Sequence, residues 1–325
     1  MKTMAEMTND TSPLISLVVP VYNSTATLEE LTARLHAVLD PLTSGAWEIV
    51  FVNDGSRDES WAHIGRLAAR EDRITGINLT RNFGQHNSIM CGIAHACGRY
   101  VITLDDDLQN PPEEIPKLLA KIEEGYDVVY GVFEKKKHSL FRNFGSELVQ
   151  WMYRKTFNTK GRLTSFRIID RDIAKRLLEY GRSFTFIDGL ISWNTSRIGN
   201  TVVEHHARAS GRSGYSNRKL LILALNMATN FSIGPLQVAT IVGILFSMFG
   251  FIFGFYILLK KILMDIPISG YTSTIVTVAF LSGVQLLTVG VLGEYIGRIH
   301  INVSNCPQYV VRDIIPSRHG RRRDP

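Results

Sequence analysis

Residues 236–259, LQVATIVGILFSMFGFIFGFYILL, contain no charged side chain. At 1.5 Å per helical residue this run exceeds the roughly 30 Å core of a bilayer. A second run, Thr272 to Gly293, is equally free of charge. Two such runs predict a two-span helical hairpin, so whatever folds before it and after it lies on one side of the membrane. Arg212, Arg218 and Lys219 precede the first span and Arg298, Arg312, Arg318, Arg321, Arg322 and Arg323 follow the second, against Lys260 and Lys261 in the connection. The positive-inside rule therefore places both ends in the cytoplasm, the lysine pair weakening the bias. The formal net charge of +6 over 325 residues has the same origin. A basic stripe beside two spans meets anionic membrane lipid, and no basic pattern interleaved with aromatics points to nucleic acid. The polar start, MKTMAEMTND, has no apolar h-region, so no cleaved signal peptide is expected.

Up to about residue 218 the chain alternates apolar runs with charged helical segments. Ile15 to Val19 is a β-branched run, Leu28, Leu31, Leu35, Val38 and Leu39 recur at helical spacing, and Glu48 to Val52 is a second strand. Strand, turn and helix recur at Ile74 to Leu79, Val101 to Leu104 and Asp127 to Tyr130, which predicts an α/β domain with a largely parallel sheet. Cys91, Cys97 and Cys306 form no metal or redox spacing; the first two read as small core residues and no disulfide is expected.

Two acidic stretches fall at strand C-terminal ends, where open α/β sheets bind ligands. In VITLDDDLQNPPEE, residues 101–114, Asp105 and Asp107 are spaced to point the same way while Asp106 faces elsewhere. Such oxygen ligands suit Mg²⁺ or Mn²⁺, with Gln109 adding a carbonyl oxygen; a solvated acidic turn is the plainer alternative. In NDGSRDES, residues 53–60, Gly55 supplies a tight turn, and Asp58 or Ser56 can cap the next helix. Asp54 is either a structural cap or an acceptor for a base or ribose. No GxGxxG follows the first strand and no GxxxxGK[ST] occurs, so diphosphate would be met through a metal at Asp105 and Asp107.

VPVYN, VNDGSRDES, RNFGQHNSIMCGIAHACG, LDDDLQNPPEEIPKLL, RASGRSGYSNRKL and LLTVGVLGEYIGRI occur in that order. Together they resemble a family 2 glycosyltransferase of the GT-A fold. The nearest group is the membrane-anchored polyprenyl-phosphate glycosyltransferases, which includes dolichyl-phosphate mannose synthases, bactoprenol glucosyltransferases and the undecaprenyl-phosphate aminoarabinose transferase. The resemblance spans roughly residues 14–312. It implies transfer of one sugar from a nucleotide sugar, usually UDP-linked, to the phosphate of a membrane polyprenol such as undecaprenyl phosphate, and relatives imply a homotetramer.

The resemblance further implies that Pro20, Tyr22 and Asp54 lie around the base and ribose, and that Asp105, Asp107 and Gln109 are the metal and diphosphate motif. It also implies that Arg208, with Ser213 in the turn Gly211 to Tyr215, closes over the phosphates, and that Arg167 lies near the acceptor phosphate. For an isolated arginine, a surface ion pair is the alternative. Three positions depart from the family's pattern: Ser24 and Ser165 where many members carry an acid, and Gly214 where an S-K pair is common. Ser165 leaves no obvious catalytic base. An acceptor phosphate monoester has a second pKa of about 6 and is mostly a dianion at pH 7, so it can attack the anomeric carbon unaided. Asp107, Arg208 and Arg167 are then the residues expected to support an inverting single displacement.

Five segments are expected: a disordered N-terminus (1–13), a GT-A catalytic domain (14–216), an interfacial amphipathic helix (217–235), two transmembrane helices (236–298) and a basic cytoplasmic tail (299–325). Lys135, Lys136, Lys137 and Arg142 read as a membrane-facing loop or a solvated charge run, and Glu294 as a headgroup-level partner of Arg298. Two other functions fit the motifs less well. A processive polysaccharide synthase would need a QxxRW motif that QWMYRK is not. A catalytically silent nucleotide-sugar binder is opposed by intact Asp105, Asp107 and Gln109 and kept open by Ser165.

Overall fold

A computed structural model describes residues 13–133, 164–182, 185–206, 234–264, 270–304 and 306–317. The chain divides into two compact units, Met1–Gly214 with Asn305–Pro325, and Tyr215–Ser304. The segments expected as a disordered N-terminus, an interfacial helix and a basic loop at 135–142 fall outside the described residues, save for Pro13, Gly234 and Pro235.

The first unit is organised by one sheet. Strands β1 (Ile15–Val21), β2 (Trp47–Asn53), β3 (Ile74–Leu79), β4 (Tyr100–Thr103), β5 (Val128–Val132), β6 (Arg167–Asp170) and β7 (Ile198–Val202) precede the apolar helices, and β8 (Val311–Ile315) follows them. Their order is β7-β5-β6-β4-β1-β2-β3-β8. β1 pairs parallel with β2 and β4, β2 with β3, and β5 with β7; β6 and β8 run antiparallel to their neighbours. This is the mostly parallel α/β sheet that the βα repeat predicts.

Helices cover both faces. Ile15, Leu17, Val19 and Val21 face Leu28, Leu31, Leu35 and Leu39 of α1 (Leu28–Thr43), in a cluster completed by α2 (Ser60–Arg70) and α4 (Ile115–Ile122). Val18 faces the other way, towards Ile89, Met90 and Ile93 of α3 (Gln85–His95), with α5 (Arg171–Leu178) and α6 (Ile187–Asn194) beside it. Burial on both faces is why β1 reads as a run that is apolar except for Ser16, whose hydroxyl donates to Glu48, rather than as an alternating one. α3 passes so close over β1 that a Cβ on Gly92 would strike the Val18 side chain. Asp170 caps α5 by accepting from the Asp172 amide at 2.9 Å, whereas Arg171 reaches back to the carbonyls of Ala96 and Gly98. Cys91 is buried, and no disulfide joins it to Cys97 or Cys306.

The second unit is a helical pair, α7 (Gly234–Met264) and α8 (Tyr271–Val303). Each holds a stretch long and apolar enough to cross a membrane, Leu236–Tyr256 and Phe280–Ile301. Val238, Ile241, Phe251, Leu286 and Leu287 are exposed along them, a surface suited to hydrocarbon rather than water.

The expected tail is only partly a tail. After α8 the chain returns to the first unit, and Val311–Ile315 adds an antiparallel edge strand to β3. Directly opposed side chains tie it in: Asn53 on β2 donates to Asn78 Oδ1 at 2.8 Å, and Asn78 donates to Asp313 Oδ2 at 3.1 Å. The Thr80 amide donates to the Val310 carbonyl at 3.0 Å, extending the attachment beyond the strand. Asn78→Ala removes the middle of this ladder and leaves the buried Asn53 side-chain amide without its acceptor, at about 1–3 kcal/mol. Thermal melts of the detergent-solubilised chain should show a drop of several degrees; an unchanged midpoint would mean that the ladder contributes nothing.

Candidate active site

The site is set by strands of unequal length. β1 stays paired with β2 through Pro20↔Val52 and Val21↔Asn53, but its register with β4 stops at Val18↔Thr103. Leu104 follows for one more residue, its amide donating to the Val18 carbonyl at 3.1 Å, and then the chain turns away. Pro20 is tolerated in this central strand because no β4 partner lies beside it. Asp105, Asp106 and Asp107 fill the opening so made. The turn is closed by Asp107 Oδ1, which accepts from the Gln109 amide at 3.2 Å, across Leu108 at φ 59°. A left-handed leucine costs on the order of 1 kcal/mol, a strain of the kind kept at functional turns.

Each of the first two acids is held from the protein side. Asp105 accepts from Gln85 Nε2 at 2.5 Å on one oxygen and from the Ser165 hydroxyl on the other. Asp106 accepts from the Tyr22 amide at 3.2 Å. Burial pushes the Asp105 carboxyl up, against the Ser165 hydrogen bond and with the charge of Asp107. Burial also pushes Asp106 up, to about 6. Three adjacent acids, two of them held against ionisation by burial, call for a compensating positive charge, and a hard divalent cation fits their oxygens. Among the described residues no group of three His, Cys, Asp or Glu is arranged to hold a metal on its own. Such an ion would therefore draw its remaining ligands from phosphate and water, as Mg²⁺ does in nucleotide sites.

The other expected contacts separate into surface and scaffold. Tyr22 is 46% exposed at the end of β1, an open aromatic face on which a base can stack. Pro20 is buried within β1 and shapes the strand end without reaching its surface. Asp54, 3% exposed, spends both oxygens on the amides of Phe83 and Gly84, at 2.7 and 2.9 Å. As placed it anchors the loop that leads into α3 and is not an open ribose acceptor. Gly55 makes that approach possible: at φ +65° its missing Cβ would stand 2.5 Å from the Arg81 and Asn82 backbone. Asp58 accepts from the Ser60 amide at 3.1 Å, but the N-cap position of α2 falls on Glu59, which makes no side-chain cap bond.

Arg167 is the largest revision. It is 1% exposed, ion-paired with Asp188, and its Nε donates to Thr103 Oγ1 at 3.1 Å. Tyr130 donates to the same Asp188 oxygen at 2.9 Å. Burial opposes the guanidinium charge, but Asp188 overrides it and raises the pKa, so Arg167 stays charged. Buried and paired behind β4, it does not face an acceptor phosphate. Arg208 and Ser213 lie outside the described residues.

Gln85, Thr103, Asp188 and His86 were not singled out in the sequence. Only Asp188 carried a signal, as a lone acid in the apolar stretch FIDGLI. His86 packs edge-on against Phe186, ring centroids 5.3 Å apart, and its Nδ1 is enclosed without a hydrogen-bond partner among the described residues.

Residues 16–178 match the family model described as glycosyl transferase family 2. The chain is 37% identical over 314 residues to the undecaprenyl-phosphate 4-deoxy-4-formamido-L-arabinose transferase of Shewanella sediminis, covering 94% of each chain. It is 35% identical to the SfII prophage-derived bactoprenol glucosyl transferase of Shigella flexneri, over 92% of this chain and 97% of that one. Among solved structures it is similar to glucosyl-3-phosphoglycerate synthase from Mycobacterium tuberculosis in complex with Mn²⁺ and uridine-diphosphate-glucose, with a TM-score of 0.48 and 17% identity over 67% of this chain and 77% of that chain.

Burial and the nearby Arg167 charge, only partly offset by Asp188, hold the His86 imidazole well below its ordinary range, at about 4. An unfolded histidine takes up a proton below pH 6.5, whereas the folded one stays neutral, so this group's contribution to stability is present above pH 6.5 and lost as pH falls towards 4. Relative to His86→Gln, the wild type should lose about 2 kcal/mol between pH 7 and pH 5. Paired denaturation curves check this, and a difference that does not change with pH would show that His86 is not held neutral.

Proposed function

The chain belongs to glycosyl transferase family 2, and from that premise we propose that it moves one sugar from a UDP-linked donor to undecaprenyl phosphate at the cytoplasmic face of a membrane. Both relatives named above carry a polyprenyl acceptor in their names, one an undecaprenyl phosphate and the other a bactoprenol. The observation that carries the reading is covalent. The chain that builds the carboxylate turn at the sheet's C-terminal edge continues into two helices of membrane-crossing length and then returns to the same sheet as β8. A water-borne acceptor would need no such hairpin. That return also supports placing both ends of the hairpin on one side, and the arginines around it favour the cytoplasm.

In this reading Tyr22 stacks on the base. Asp105, Asp107 and Gln109 hold Mg²⁺ or Mn²⁺, which when bound neutralises the leaving diphosphate. Arg208 and Ser213 are proposed to contact the same phosphates. The acceptor phosphate, mostly a dianion at pH 7, attacks the anomeric carbon from the face opposite the leaving group and inverts its configuration. A protein base is dispensable, and Ser165 does not offer one, because its hydroxyl already donates to Asp105. What this chain supplies is position and compensating charge.

The test is transfer of labelled sugar from UDP-, TDP- and GDP-sugars to undecaprenyl phosphate in detergent, with Mn²⁺ or EDTA. Label should enter the lipid from one UDP-sugar, with inverted configuration, be lost with EDTA, and fall by about 100-fold or more in Asp107→Ala. Retained configuration would exclude the single displacement. Nucleotide binding with no transfer from any donor would point instead to a silent binder.

A further inference from the structure

Ser165 stands immediately before Phe166 and the start of β6, and it is fixed from three directions. Its hydroxyl donates to Asp105 Oδ2, while Gln85 Nε2 donates to Oδ1 of the same carboxylate at 2.5 Å. Its carbonyl accepts from Thr103 Oγ1 at 2.5 Å, and that hydroxyl oxygen accepts from Arg167 Nε at 3.1 Å. Arg167 is pinned in turn by Asp188, which Tyr130 also contacts. The preceding residue, Thr164, donates to the carbonyl of Gly131 on β5 at 2.8 Å. Thr103 and Arg167 are direct partners in the β4 and β6 register, so the relay is built into the sheet.

We infer that Ser165 is a positioning residue for the cation-binding carboxylate, holding Asp105 in one orientation through a hydroxyl that the buried Arg167 and Asp188 pair keeps in place. The inference rests on the proposed reading that Asp105 binds a divalent cation. Its physical basis is lone-pair accounting. A carboxylate offers two acceptor directions on each oxygen, and Ser165 and Gln85 use one on each, leaving one on each for a metal. Both donors are neutral, so they orient Asp105 without adding charge to a turn that already holds three acids. Without the hydroxyl, Oδ2 loses its donor and the carboxylate must be ordered when the ion binds.

The experiment is Mn²⁺ binding to the full chain in detergent with UDP present, followed by the electron paramagnetic resonance signal of free Mn²⁺. Ser165→Ala should weaken Mn²⁺ binding by about 10–100-fold, the usual effect of removing a group that orients a metal ligand. Metal-free UDP binding and the melting midpoint should stay as in the wild type, and Ser165→Thr should restore affinity to within a few-fold. Should Ser165→Ala not fold, Ser165→Cys, close in size and a weaker donor, must fall between wild type and Asp107→Ala. Wild-type affinity in Ser165→Ala, with Asp107→Ala still defective, overturns the inference and leaves the cation reading standing. If the wild type binds no Mn²⁺, or Asp107→Ala binds as the wild type does, the cation reading fails and the inference with it.

Discussion

Negative charge crowded into Asp105, Asp106 and Asp107 is the constraint to which the rest of the site answers. Burial drives Asp105 and Asp106 to hold their protons, and the charge of the neighbouring carboxylates adds to it. The surroundings reply with donors that carry no charge: an amide side chain from α3, a serine hydroxyl ahead of β6 and backbone amides from Tyr22 and Gln109. None of these neutralises the turn. A divalent ion bound to a diphosphate would balance the charge that remains. The short β4 strand makes the arrangement possible, because only where β1 outruns its neighbour can three side chains turn into the gap.

Behind the turn, Arg167 and Asp188 raise a different question. Removing two charges from water costs several kcal/mol each, and their attraction recovers that only with good geometry and further hydrogen bonds. The pair has those bonds, to Thr103 and from Tyr130, and it joins β6, an antiparallel strand inserted between β4 and β5, to Asp188 on α6. An apolar pair of equal volume would serve stability as well. It would not fix the Thr103 hydroxyl, and through it the Ser165 backbone, at the rear of the carboxylate turn. Local order at the site, rather than global stability, is the reason this pair is charged.

The sequence exposed what depends on local pattern and hid what depends on partners. β1 to β5 were readable because parallel strands buried on both faces are continuous apolar runs, and the apolar helices because nothing charged interrupts them. β8 was not. VRDII lies among arginines, sits at the sheet edge with three of its five residues exposed, and shows no apolar alternation. Asp54 and Arg167 were found at the right strands, but two roles stayed open for each, because a charged residue near a strand end looks the same in sequence whether it faces a ligand or a buried partner. Gln85 carried no signal, since an amide at the first turn of a helix is ordinary until Asp105 is seen beside it.

The return of the chain as β8 changes what the helical hairpin does for the enzyme. A single tether to a membrane raises the local concentration of a lipid acceptor but leaves the catalytic domain free to turn about one linker. Here the domain is joined to the hairpin at both ends, once through the segment that precedes α7 and again through the short stretch between Val303 and Val311. The second junction is anchored beside the site-bearing strands: Asp313 reaches Asn78, Asn78 reaches Asn53, and Asn53 directly precedes the Asp54 that holds the loop into α3.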